Sequence, residues 1–195
     1  MVQILDQLTL LLRITRSRSI VRRYFVVNGF DGALTMLGMI TGFYTGGETS
    51  TGVMISACLG ATIALGMSGI SSAYVSEAAE RRKELKELES AMMTDLGEAA
   101  HGRAARLVPA VIALTNGLAP LLIALTIISP LWFSPLLESW FLEPLQVSIL
   151  LAFSIIFFLG MLLGKVSGTF WLFSGLRTLF IGVLTCLIIY LLSPA

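Results

Sequence analysis

Residues 53–90 read VMISACLGATIALGMSGISSAYVSEAAERRKELKELES, and the fold turns on the change of character at Glu77. Up to Ser76 the stretch holds no charged side chain, and about 20 mostly apolar helical residues suffice to cross a hydrocarbon core of roughly 30 Å. From Glu77 onward charge is dense, and strong helix formers continue with no Gly or Pro until Gly97. The same helix is therefore expected to leave the membrane and run on in water.

The pattern recurs along the chain. Its 195 residues are 56% hydrophobic and only 13% charged, with a mean hydropathy of +0.88, which excludes an ordinary soluble domain. Four further spans are predicted at 25–44, 107–128, 145–163 and 176–192, giving an all-α polytopic membrane protein with five transmembrane helices. In the third, Asn116-Gly117 and Pro120 predict a kink or local opening. Trp132, Phe133, Trp140 and Phe141, in the loop after it, suit the headgroup boundary. The stretch VSGTFWLFSG, 166–175, is too short to span and is expected at the interface. Near the N-terminus Ile4, Leu5, Leu8, Leu11, Leu12 and Ile14 fall on one helical side. That predicts an amphipathic helix lying in the membrane interface; a frayed tail is the plainer reading. The expected organisation is an interfacial helix over 1–22, two spans over 23–76, a cytoplasmic acidic helix over 77–106 and three spans over 107–195.

Charge sets the expected orientation. Arg22, Arg23, Arg81, Arg82, Lys83, Arg103, Arg106, Lys165 and Arg177 all fall on one side of a five-span chain, and the opposite loops carry only Glu48, Glu138 and Glu143. The positive-inside rule then places the N-terminus in the cytoplasm and the C-terminus outside, in a multi-pass protein of the cell membrane. The N-terminus lacks the basic, apolar and small-residue order of a cleaved signal peptide. Cys58 and Cys186 both lie inside predicted spans, which argues against a disulfide framework.

Within the first span, NGFDGALTMLGMITG at 28–42 contains a carboxylate. Near the middle of a spanning helix it costs about 2.5–3.5 kcal/mol on insertion scales, so it usually faces a pathway or a partner. Asn28, Asp31, Thr35, Gly38 and Gly42 share one helical face, and Asn28, Asp31 and Thr35 are the expected path-lining residues. The plainer reading pairs Asp31 with Asn116 or Arg23. No basic residue falls at a predicted span centre, which favours protonation or a bound cation. The second span carries small residues every four positions, Gly52, Ser56, Gly60, Ala64, Ser68, Ser72 and Ser76, a pattern that lets helices pack closely within the chain or across a dimer axis. Met67 lies beside that stripe, where a thioether is either apolar filling or a soft metal ligand.

Glu77, Glu80, Glu84 and Glu87 form one carboxylate stripe at spacings of three and four. Oxygens at that pitch can share a divalent cation, or the stripe belongs to a solvated helix held by Glu77–Arg81 and Lys83–Glu87 pairs. Met92, Met93, Asp95, Glu98 and a lone His101 close the linker. There is no phosphate-cradling loop, no HExxH and no CxxC, so neither an enzyme nor a nucleic-acid partner is expected.

Taken together, DGALTMLGMITG in the first span, ALGMSGISSAYVSEAAERRKE leaving the second, AMMTDLG before the third, and GKVSG with GLRTLFIG around the fifth resemble the vacuolar iron transporter family. The resemblance covers most of the chain from Arg22 onward. It implies a homodimeric, proton-coupled exporter of iron(II) or manganese(II) from the cytosol, with no tightly bound cofactor. It also implies that Asp31 and a second-span methionine line the path. Glu77, Glu80, Glu84 and Glu87, with Met92, Met93 and Asp95, would collect metal. The chain departs from the family in three places. Ser72-Ala73-Tyr74-Val75-Ser76 stands where Gly-Glu-Tyr-Val-Ser is usual, Met67 is out of register with the family methionine, and the cytoplasmic domain is curtailed. The expected mechanism takes a cation from the acidic helix between the first two spans to Asp31 at mid-membrane, where metal and proton compete for one carboxylate. A metal sensor without transport and an oligomeric membrane interaction protein are the alternatives.

Overall fold

The computed structural model describes residues 17–133 and 143–193. Five helices follow one another: α1 (Ser17–Gly46), α2 (Thr51–Met92), α3 (Ala100–Trp132), α4 (Pro144–Ser167) and α5 (Trp171–Leu192). Among the described residues there is no strand. All five helices are long and apolar enough to cross a membrane. Their outward surfaces are apolar as well: Phe180 is 68% exposed and Leu191 71%, which suits lipid as the solvent and would be costly in water. The predicted amphipathic helix lies outside the described residues, except that 17–22 form the start of α1.

The chain divides into two compact units, Met1–Phe25 with Gly66–Leu118 and Val26–Leu65 with Ala119–Ala195. In the first, α2 and α3 meet at a close crossing. A Cβ on Gly117 would lie 2.4 Å from the Gly66 carbonyl oxygen and 2.4 Å from Ile70 Cγ1, so only glycine permits this approach. Asn116 Nδ2 donates to the Gly69 carbonyl oxygen at 2.7 Å, a polar clasp of the kind that holds helices together where no water competes. The helix runs on unbroken through Asn116, Gly117 and Pro120, so the predicted opening does not interrupt it. Ala104, Val108 and Ile112 of α3 form a small apolar cluster with Val21 and Tyr24 of α1.

In the second unit, Ala33, Met36, Leu37 and Ile40 of α1 pack with Met54 and Cys58 of α2, Ala124, Ile127, Ile128 and Leu131 of α3, and Ala152, Ile156 and Leu159 of α4. Thr62 Oγ1 donates to the Met36 sulfur at 3.8 Å. The α4–α5 hairpin is built on small residues four apart. A Cβ on Gly160 would meet the Thr178 side chain, and one on Gly164 would lie 2.6 Å from Ser174 Cβ. Gly168, at φ 71°, ends α4 in the left-handed conformation with its N–H on the Gly164 carbonyl, and α5 starts at Trp171. The stretch 166–175 is therefore the end of α4, a tight turn and the first turns of α5, and it does not form a span of its own. Five residues of helix are added ahead of the predicted start at 176.

Candidate cation site

That early start of α5 places Arg177 inside a helix and determines the surroundings of Asp31. Asp31 lines a cavity of about 570 Å³ with Val27 and Phe30 of α1, Leu163 and Ser167 at the end of α4, Thr169 in the turn, and Ser174, Arg177 and Thr178 of α5. A space of that size falls within the usual range for small-ligand sites. Arg177, near the start of α5 and away from its centre, lies on the same cavity. The two do not form an ion pair, and among the described residues neither side chain has a hydrogen-bond partner.

Asp31 is ten residues past Val21, where the apolar span of α1 begins, about 15 Å along the helix at 1.5 Å per residue, and its cavity reaches from Ser167 and Thr169 at the turn to Leu159 on α4 and Ile181 on α5. The walls come from α1, α4 and α5, whereas α1 meets α2 through Met36, five positions on and so about 140° around the helix. A route between the first two spans is not the one this cavity follows. Of the other predicted path residues, Asn28 and Thr35 are half-buried on α1 and do not line it. The plainer partners are engaged elsewhere: Asn116 with Gly69, and the Arg23 guanidinium 6.0 Å from the centre of the Tyr24 ring.

The oxygen lining was not anticipated. Thr178 Oγ1 shares its one proton between the carbonyls of Gly175 at 2.8 Å and Ile156 at 3.1 Å, and Thr169 and Ser167 donate to Gly164 O. A hydroxyl whose proton is spent on a carbonyl keeps lone pairs for a cation. The signal was present in the run of Ser and Thr through Ser167, Thr169, Ser174 and Thr178, once the run is folded as a turn followed by helix.

On the extension of α2, the carboxylate stripe is largely neutralised. Arg81, buried at 8% exposure, donates from Nη1 to Glu84 Oε2 at 2.6 Å and reaches Glu77 Oε2 at 3.6 Å. Tyr24 Oη donates to Glu77 Oε1 at 3.4 Å, and Lys83 approaches Glu87 at 4.0 Å. Glu80 is exposed and without an ion pair among the described residues. Both pairs foreseen from spacing form, together with the stronger Arg81–Glu84 contact. Among the described residues no three His, Cys, Asp or Glu side chains are grouped to hold a metal ion.

Met92 and Met93 are exposed, Met93 at 94%, and Met93 adopts φ 50°. Thr94 N–H donates to Glu89 O at 3.3 Å, which closes α2 with a Schellman turn whose left-handed position is usually glycine. Asp95 Oδ1 accepts from Gly97 N–H at 2.7 Å, and Glu89 Oε1 accepts from Leu96 N–H at 3.1 Å, so the acids around the Met pair shape the turn. Met67 is 58% exposed on α2. No family model, curated protein or solved structure matches this chain.

Proposed function

We propose that the protein moves divalent metal cations across a membrane, exporting iron(II) or manganese(II) from the cytosol in exchange for protons, as the resemblance to the vacuolar iron transporter family implies. The observation that carries the reading is Asp31: a carboxylate on an apolar helix facing a cavity of about 570 Å³ rimmed by hydroxyl oxygens. Oxygen donors of this kind suit hard and borderline divalent cations. Arg177 acts as a tethered cation on the same cavity, repelling a metal ion while Asp31 attracts it, and so keeps occupancy brief enough for release. Metal and proton compete for the Asp31 carboxylate, which supplies the coupling. Glu80 is the exposed carboxylate left over on α2, and Glu77, Glu84 and Glu87 join it only when Arg81 and Lys83 let go. Collection by this helix, with Met92, Met93 and Asp95, is then a transient event.

A homodimer is part of the reading. Gly52, Ser56, Gly60, Ala64, Ser68, Ser72 and Ser76 are all exposed on α2, and no atom lies within 4 Å of a Cβ built on Gly52 or Gly60. A small-residue surface left open in one chain suits close contact with the same surface of another. That observation also fits the second reading, an oligomeric membrane protein without transport.

Purified protein in sealed liposomes loaded with a metal-quenched dye separates them. Transport predicts iron(II) or manganese(II) entry above that of empty liposomes, abolished by Asp31→Ala. Entry equal to that of empty liposomes, or unchanged in Asp31→Ala, overturns the proposal.

A further inference from the structure

A second cleft, in the unit formed by Gly66–Leu118 with the start of the chain, is cationic. Its volume is about 350 Å³, and Tyr74, Ala78 and Arg82 of α2 face Gly102, Arg106 and Pro109 of α3 across it. The floor is small or buried, since Gly102 and Pro109 are both buried. The two arginines that line it are exposed.

Among the described residues most of the charge here is not spent within the protein. Arg81 holds Glu77 and Glu84, and Lys83 is near Glu87. Among the described residues Arg82 and Lys86, four apart on α2, have no carboxylate partner. The carboxylate near Arg106 is Glu98, at 4.0 Å with both side chains largely exposed, a geometry that contributes little. Two guanidiniums therefore converge on one small cleft with their donors available, the fork geometry that grips phosphate oxygens.

The level of the cleft identifies its occupant. Tyr74, Val75 and Leu107 are exposed apolar side chains, next in sequence to the cleft on its span side, and the charged part of α2 begins at Glu77. The cleft thus opens where apolar surface gives way to charge, with a tyrosine at the boundary, as at a headgroup layer. A soluble anion would need no apolar rim, whereas a lipid places its phosphate against the arginines and its acyl chains along Val75 and Leu107. We infer that this cleft binds the phosphodiester of an anionic glycerophospholipid, drawn from the leaflet at the charged end of the spans.

The test is retention of phosphatidylglycerol against phosphatidylcholine by the full chain, read by native mass spectrometry after exchange in mixed micelles. Wild type is expected to retain phosphatidylglycerol preferentially. Losing one basic contact near the surface is expected to weaken retention about fivefold, and losing both in Arg82→Gln/Arg106→Gln about 25-fold. Arg22→Gln/Lys83→Gln removes the same charge outside the cleft and is expected to leave retention unchanged. If the double variant does not elute as a folded species, Arg82→Gln alone carries the test with its fivefold loss. Equal retention by wild type and the cleft variants overturns the inference, as does an equal loss in the charge-matched control. Displacement of the lipid by inorganic phosphate at millimolar concentration also overturns it, and marks a site for a soluble anion.

Discussion

Asp31 of α1 and Arg177 of α5 line one cavity without forming an ion pair. Both residues are exposed on the cavity, and opposite charges on one largely apolar surface attract each other beyond contact distance. Replacing Arg177 by Gln is expected to tighten manganese(II) binding about tenfold, equivalent to about 1.4 kcal/mol, and to slow release. Asp31→Asn is expected to abolish binding in the cavity. Titration of detergent-solubilised variants by calorimetry reads both, and unchanged affinity in Arg177→Gln removes the guanidinium from the site.

At the outer half of α2, Arg81 is the buried member of the Tyr24, Glu77 and Glu84 network. Its removal strands two carboxylates, so Arg81→Met is expected to cost about 1–3 kcal/mol. Glu84→Gln, at a half-exposed partner, is expected to cost less than about 1 kcal/mol. Thermal unfolding in detergent compares the two, and equal losses contradict the assignment of Arg81 as the hub.

Met93 separates architecture from metal chemistry. Its left-handed backbone disfavours any side chain by about 1–2 kcal/mol, so Met93→Gly is expected to raise the unfolding temperature. A thioether that also collects metal would make the same variant a weaker binder of iron(II). A stabilised variant with unaltered metal binding identifies Met93 as a turn residue alone.

Two glycines give opposite expectations. Gly117→Ala forces a methyl against Gly66 O and Ile70, an overpacking expected to cost about 1–3 kcal/mol. Gly60 has open space around it, so Gly60→Leu is expected to spare the monomer fold and reduce the dimer population in light scattering. A dimer indifferent to Gly60→Leu is held by some other surface.

The spans were legible because length and lack of charge are local properties, and the α2 extension was legible because Glu77–Glu89 contains no breaker. What escaped depended on partners distant in sequence. Gly168 reads as one more small residue until its φ of 71° ends α4; only then does Trp171 begin a helix and Arg177 come round to Asp31. Asp31 itself was conspicuous from its cost in an apolar run, yet its neighbours were sought on the adjacent span, since nothing local marks Ser174 or Thr178 as facing α1. Arg81 was foreseen as one of a series of exposed i,i+4 pairs. Its burial depends on the packing around α2, which spacing does not encode.

The helix α2 is 42 residues without a break, about 63 Å from end to end at 1.5 Å per residue, roughly twice the thickness of a hydrocarbon core. No glycine or proline falls between Ile70 and Met92, so the apolar and charged parts of α2 on either side of Glu77 share one continuous ladder of backbone hydrogen bonds. Arg81 and its carboxylates are twelve residues from the Gly69–Asn116 clasp, about 18 Å along the same ladder, so a change in their pairing is expected to be felt there. The charged end of α2 and the α2–α3 crossing are thereby joined through one helix.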